Sequence, residues 1–365
     1  MTTFARGIDA APRSAAGLPA RRPQSWIAMK MWRSRLAPLV KLAFFAMGTE
    51  VTVTVSVLGP RARREDAIAA IADVERRIQD FGRHWWAWGD GALGAINAQL
   101  AGGGVAEIPP AMRPLFGRAW AVRQATGGMF DPRVAALVRL WGFHDMAGLR
   151  DTPPDDASVE TVLQALRRAP GYDGGATYGP APGVGWDFGG IGKGWIVDLT
   201  LDRLRELGFP DAIVDAGGNL AVRGARGDRP WRIGIRHPRA NPHGDGQGPT
   251  MLATMVARDE AVNTHADDQR SFDHGGQRYG HILDPMLGRP ARDLCSVTVV
   301  HSDGTLAEAG GAALYVAGRS GWRRLARKLG LQQVMVVTAE GEVLVTGPLA
   351  ARIKPEAGTQ IRIAG

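Results

Sequence analysis

The sequence predicts an α+β fold, and three observations carry that expectation. Residues 51–57, Val-Thr-Val-Thr-Val-Ser-Val, alternate branched apolar with small polar side chains, the period of a half-buried strand. Ile68, Ile71, Val74, Ile78 and Phe81 then recur at spacings of three and four, which predicts a helix over 65–80 with one apolar face. Far along the chain, 334–338 and 343–346 flank Ala339-Glu340-Gly341-Glu342 and read as a hairpin. A strand followed by a helix packed on it begins an α+β layer.

The other elements come in chain order. Met47-Gly48-Thr49 stands at the start of the first strand, and Trp85, Trp86 and Trp88 come after the first helix in a Gly-rich segment ahead of Asn97. Such tryptophans suit either stacking on a planar ligand or lining a core edge. A helix is expected over 113–125, then the turn 126–132 and Leu137, Leu140 and Trp141-Gly142-Phe143. Ser158 is expected to cap a helix ending at Arg168. From Trp195 the residues Ile196, Leu199, Leu204 and Leu207 mark a helix that Gly208 ends. Short strands are expected at 212–215, 220–223 and 231–236, the first two joined by Gly217-Gly218-Asn219, where glycine supplies positive φ. The stretch 237–250 reads as a polar loop, 251–257 and 295–300 as strands, 306–316 as a helix, and 322–329 as a basic surface helix.

Composition narrows the function. With 365 residues, 45% of them hydrophobic and 22% charged, the chain can bury the core of one large or two medium domains. Its net charge of +8 is misleading: residues 1–41 hold eight Lys and Arg against Asp9, leaving the rest of the chain close to neutral. The body thus offers no electrostatic footprint for a nucleic acid. Residues 1–42 read as a basic disordered or leader segment. Arg21-Arg22 invites a twin-arginine reading, but Lys30, Arg33, Arg35 and Lys41 interrupt the segment after it, so no clean export signal stands there. A start at Met29 or Met31 would leave a short basic leader. The only cysteine is Cys295, so there is neither a lipoprotein cysteine nor an intrachain disulfide, and no run reaches the apolar length of a membrane span.

One stretch concentrates the chemistry. Residues 187–198, Asp-Phe-Gly-Gly-Ile-Gly-Lys-Gly-Trp-Ile-Val-Asp, set glycines and Lys193 at a helix start. N–H groups there can seat an anion, and Lys193 adds a charge. The spacing fits neither a P-loop nor a dinucleotide fingerprint; a tight turn with a solvated lysine is the alternative. Two polar clusters, 264–268 (Thr-His-Ala-Asp-Asp) and 279–285 (Tyr-Gly-His-Ile-Leu-Asp-Pro), bring His265, Asp267 and His281. A histidine beside an acid suits general-base chemistry as well as a satisfied structural role. No histidine pair has zinc-ligand spacing.

Met47-Gly48-Thr49, Gly128 to Asp131 with Leu140 to Phe143, 187–198, Gly217-Gly218-Asn219, His281 to Pro285 with Gly288, and 296–299 occur in the order and spacing of the ApbE family, which this chain resembles over about 43–348. The resemblance implies a mixed, mainly antiparallel sheet packed with helices, residues 43–348 forming the transferase domain and 349–365 a C-terminal tail. It also implies an FAD:protein FMN transferase, dependent on Mg2+, that cleaves FAD and joins FMN to a Thr or Ser of an acceptor protein with release of AMP. By position in the family motifs, His281 is the expected base with Asp267 beside it. Met47, Trp88, Phe130, Asp131, Asp187, Lys193 and Ile282 are the expected FAD-site residues, with Trp86 an alternative to Trp88. Gly190 and Glu308 are the expected metal ligands. Three departures stand out: Glu308 replaces the family's Asp, Ala312 its Thr ligand, and His265 the Ser of a Ser-Gly-Asp segment. They keep open an FAD-binding protein or FAD pyrophosphatase without transfer activity, and a non-enzymatic accessory protein of redox-complex assembly. Family members commonly act outside the cytoplasm, whereas the segment as written is a poor export signal and reads as cytoplasmic, which leaves the compartment open. The chain carries no Asp-x-x-Ser/Thr-Gly-Ala-Ser/Thr acceptor motif of its own.

Overall fold

The computed structural model describes residues 39–364 apart from 58–62, 146–147, 228, 240–249 and 268–269. The expectations for the leader, for most of the 237–250 loop and for Asp268 lie outside the described residues.

Nine strands lie side by side in chain order: β1 (Leu39–Ala46), β2 (Thr49–Ser56), β3 (Ala212–Ala216), β4 (Asn219–Arg223), β5 (Glu260–Ala266), β6 (Leu294–His301), β7 (Gln333–Thr338), β8 (Val343–Thr346) and β9 (Ile361–Ala364). All neighbours are antiparallel except β8 and β9, as expected of a mainly antiparallel sheet. Side chains alternate across it. Val297, Val299, Val334 and Val336 face the helices, while Val300, Met335, Val337 and Val345 face a three-stranded sheet of Trp231–Arg236, Met251–Ala257 and Ile353–Pro355.

The helices enter as insertions. Between β2 and β3 come α1 (Arg64–His84), α2 (Ala92–Ala101), α3 (Arg113–Thr126), α4 (Ala135–Leu140), α5 (Asp156–Arg168) and α6 (Gly192–Glu206). Helix α7 (Gly304–Leu329) joins β6 to β7, and the short α8 (Gly347–Ala350) comes after β8. No described helix is long and apolar enough to cross a membrane. Helices α6 and α7 cross closely, because a Cβ on Gly194 would lie 2.4 Å from the Gly304 carbonyl oxygen. Only glycine permits that approach.

Several elements differ from the expectation, each for a local reason. The boundary at residue 42 falls inside β1, and residues 349–365 contribute Ile353–Pro355 and β9 to the two sheets instead of trailing as a tail. Ile68 is exposed, and the buried stripe of α1 is Ala67, Ala70, Ile71, Val74 and Ile78. Asp155 caps α5 by accepting the Ser158 N–H at 2.8 Å, so Ser158 sits inside the helix. Thr264 and His265 belong to β5 rather than to a loop. The helices expected at 306–316 and 322–329 form one segment turned at Gly318, and Trp322 is fully buried, so only one side of the second half faces solvent.

Gly318 has φ 66° and ψ −173°, a conformation open essentially to glycine, and a Cβ there would meet Asp293 Oδ2 at 2.4 Å. Gly318→Ala is expected to destabilise the fold by about 1–3 kcal/mol, read as a lowered melting temperature; an unchanged melting temperature would contradict this geometry.

Candidate functional site

Glu308 lies in the first half of α7 and is fully buried. Its Oε2 accepts the Gly194 N–H of the first turn of α6 at 2.7 Å, satisfying one of the free donors of a helix start. Its Oε1 lies 3.0 Å from Lys193 Nζ without an aligned hydrogen bond. Lys193 Nζ also donates to the Gly189 carbonyl at 2.9 Å. The glycine-rich stretch thus holds a lysine between a buried carboxylate and a loop carbonyl. Asp187 starts this loop, its main-chain N–H donating to the Pro132 carbonyl at 2.7 Å and its Oδ1 accepting the Gly189 N–H at 2.9 Å. Burial pushes its carboxyl up, and Gly189, Lys193 and Arg270 pull it back.

Two histidines complete this wall. His265, on β5, meets the Glu308 carbonyl through Nε2 at 2.7 Å. Burial, then Lys193 and His281, push its imidazole down to about 3. His281 comes after the hairpin of Ser271–His274 and Gln277–Gly280, its main-chain N–H donating to the Arg270 carbonyl at 3.0 Å. Its buried Nδ1 has no partner. Burial, then Arg270 and Lys193, push it down to about 4, with Asp267 opposing. Both imidazoles are therefore neutral at pH 7. Arg270 also lies against the turn at Met47, since its Nη2 is 3.3 Å from where a Cβ on Gly48 would stand. Met47 is one of two described non-glycine residues with positive φ, at 52°.

The expected residues do not all converge. Phe130 does, with its Cε2 3.4 Å from a Cβ built on Gly190, and the Ala312 methyl 3.9 Å from the same point. Asp131 turns away into an arginine clamp: it is buried and accepts from Arg123 Nε at 2.7 Å and from Arg133 Nη2 at 2.8 Å. Both guanidinium groups stack over Trp120. Asp267 is held by Arg239, whose Nη2 donates to Oδ2 at 2.8 Å and lies 3.0 Å from Cys295 Sγ. Trp88 packs on His144 and under Arg139, whereas Trp86 is 53% exposed. Behind the glycines stand Phe81 and Trp85, stacked at 4.9 Å, with Phe81 3.5 Å from a Cβ on Gly192. Ile282 is partly buried, and its carbonyl accepts the Ala291 N–H. Arg270 is the site residue that sequence reasoning missed; a single arginine in a polar segment has no spacing to mark it.

The donor set bears on a metal. Glu308 offers a buried carboxylate oxygen whose one close partner is a lysine, while Ala312 has no oxygen to offer. Among the described residues no group of three or more His, Cys, Asp or Glu stands ready to hold an ion. Mg2+ typically keeps water and substrate phosphates as ligands beside one or two carboxylates, and the one carboxylate of this wall that suits it is Glu308.

Fold and site together define an α+β protein in which a glycine-lined loop, Lys193 and two histidines meet between a mainly antiparallel sheet and two crossing helices. The ApbE family model matches residues 47–337, and the chain belongs to that family. It is 33% identical over 328 residues to the FAD:protein FMN transferase of Rhodobacter capsulatus, covering 88% of this chain and 60% of that protein. It is 34% identical over 249 residues to the one of Treponema pallidum, covering 63% of this chain and 66% of that protein. The chain thus spans less than two thirds of either relative's length by aligned residues. Among solved structures it superposes on the ApbE protein of Thermotoga maritima with TM-score 0.74 at 28% identity, covering 86% of this chain and 99% of the other. The Pseudomonas stutzeri flavinyl transferase ApbE gives TM-score 0.72 at 25% identity, covering 86% and 96%.

Asp131→Ala leaves buried Arg133 without its carboxylate, and is expected to destabilise the protein by about 3–5 kcal/mol. Denaturant unfolding measures this, and an effect below about 1 kcal/mol would reject the clamp as structural. The neutral histidines set a pH dependence. Below the ordinary value of 6.5 the unfolded chain takes up protons at His281 that the folded site refuses until about 4. Stability should therefore fall as pH drops through that window. His281→Gln should make the fall shallower in urea titrations at pH 7 and pH 5; an equal fall in both proteins would count against a neutral His281 with its Nδ1 buried.

Proposed function

We propose that this chain is an FAD:protein FMN transferase, acting on a Thr or Ser hydroxyl of an acceptor protein. The observation that carries it is the placement of Lys193 between Glu308 and the Gly189 carbonyl, beside Arg270 and a neutral His281. Two cations suit a pyrophosphate, and a neutral imidazole suits an incoming hydroxyl. Asp187, Met47, Phe130 and Ile282 are assigned to the flavin or adenosine side. Asp267 is assigned to orienting the site through Arg239, and Asp131 to supporting Phe130 from the arginine clamp.

In the proposed reaction His281 takes the proton of the acceptor hydroxyl as its oxygen attacks the phosphorus on the FMN side. The new P–O bond forms as the bond to the AMP phosphate breaks, and AMP leaves. Lys193 and Arg270 hold the phosphates, and closure of FAD over the neutral imidazole keeps bulk water away. Mg2+, held by Glu308 and the Gly190 carbonyl, would supply further neutralisation of phosphate charge. The acceptor is expected to carry Asp-x-x-Ser/Thr-Gly-Ala-Ser/Thr.

Incubation with FAD, Mg2+ and such an acceptor should give covalently bound FMN and an equal amount of AMP. AMP with an unmodified acceptor would point instead to a pyrophosphatase, and neither product would refute both. His281→Ala is expected to slow transfer by about 10²–10⁴-fold with FAD affinity little changed; full transfer by this variant would remove His281 from the role of base.

A further inference from the structure

His265 on β5 and Gly311 on α7 meet where the sheet packs against the helix. Gly311 is one turn of α7 beyond Glu308, and its missing side chain leaves room for an imidazole. A Cβ there would lie 2.8 Å from His265 Cδ2, 3.0 Å from His265 Nε2 and 3.4 Å from Val299 Cγ2. The first two contacts are closer than carbon and nitrogen tolerate without movement. The space is closed on the other side by β6, which pairs with β5 at Val297 opposite His265. An alanine at 311 and a histidine at 265 cannot both keep their places.

The imidazole uses that room for one polar contact. Its Nε2 is 2.7 Å from the Glu308 carbonyl oxygen. A carbonyl only accepts, so Nε2 carries the hydrogen and Nδ1 the lone pair. This N–H reaches a carbonyl inside a helix, where the α7 backbone already offers its oxygen to the next turn. The bond ties the helix to the sheet at the residue whose side chain runs the other way, to Gly194 and Lys193. Ala312, next to Gly311, presents only a methyl toward Gly190, 3.9 Å from where a Cβ on Gly190 would stand.

We propose that His265 is a positioning residue: seated over Gly311, it anchors the Glu308 turn of α7 and thereby aims the Glu308 carboxylate at Gly194 and Lys193. The two residues act as one unit, the glycine being required only while the histidine is present. Its effect on FAD rests on the flavin-transferase reading above; its geometry does not.

A double-mutant cycle tests the unit. Gly311→Ala alone should lower the melting temperature and weaken FAD binding, read by flavin fluorescence quenching, by about tenfold. In a His265→Ser background the same change should have no further effect, within about twofold. His265→Gln, which keeps an amide N–H at nearly the same reach, should bind FAD like the parent protein, whereas His265→Ser should bind it more weakly at temperatures far below its own melting transition. A side chain that only fills space would let His265→Met, of similar volume but without an N–H to donate, bind FAD like the parent as well; loss of affinity in His265→Met beside retention in His265→Gln assigns the effect to the bond to the Glu308 carbonyl. Nitrogen-15 spectra of the imidazoles add a readout that needs no flavin: His265 should be the Nε2–H tautomer. Additive effects of the two substitutions, or an Nδ1–H tautomer, would overturn the proposal. A parent protein that binds no FAD would refute the transferase reading alone, leaving the melting cycle and the tautomer to decide this inference.

Discussion

The site depends on a carboxylate that water cannot reach. Glu308 is fully buried, and a buried charge persists only with partners that replace its hydration. Those partners come from the start of α6, one oxygen taking the Gly194 N–H and the other facing Lys193. The requirement draws α6 and α7 together until glycine is obligatory at 194, because the Gly304 carbonyl occupies the place of a side chain. The same carboxylate fixes where Lys193 sits. A shorter Asp at this position would reach less far toward α6, so the length of Glu308 and the α6 cap belong together.

The sheet makes this meeting possible without contributing much chemistry. Its strands neighbour one another in chain order, so each insertion leaves and returns at adjacent strands. Met47 comes from the β1–β2 turn, Phe130 and the glycine stretch from the long β2–β3 insertion, Arg270 and His281 from the β5–β6 connection, and Glu308 from α7. Four connections therefore meet at one frame. Changes within any of them can retune the site while the strand register stays fixed.

This division decides which elements the sequence disclosed. Those with one wet and one dry face were legible: β2 alternates, α1 repeats every three to four residues, and β7–β8 shows its turn. Elements whose surroundings override their pattern were not. β5 reads as polar through Asn263, Thr264 and His265, yet lies between β4 and β6, where Asn263 donates to the Gly304 carbonyl at 2.8 Å and Thr264 meets Thr298. Edge strand β1 lacks a clean alternation, and β9 is a short strand at the other edge. Lys193 stood out from the glycines at a helix start and His281 from its polar cluster, and the family pattern added their roles. Asp131 illustrates the limit: its position in that pattern pointed to the nucleotide, whereas Arg123 and Arg133, which claim it, stand at no spacing that sequence alone would connect to a ligand or to a clamp.

The charges of the site acquire a direction from burial. In the protein without ligand, Arg270 and Lys193 act with burial to hold His281 far below its ordinary value. An imidazole so depressed is a poor proton acceptor. The same cations are the groups that incoming phosphates would engage. A pyrophosphate placed against them would offset their contribution at His281, since a nearby anion favours the protonated imidazole. In the proposed reaction the base would therefore strengthen when FAD arrives and stay weak while the site is empty. Such coupling needs the lysine and the arginine to remain where the phosphates come. Lys193 is kept there by Glu308, so the buried carboxylate that shapes the helix crossing also sets the conditions under which His281 can accept a proton.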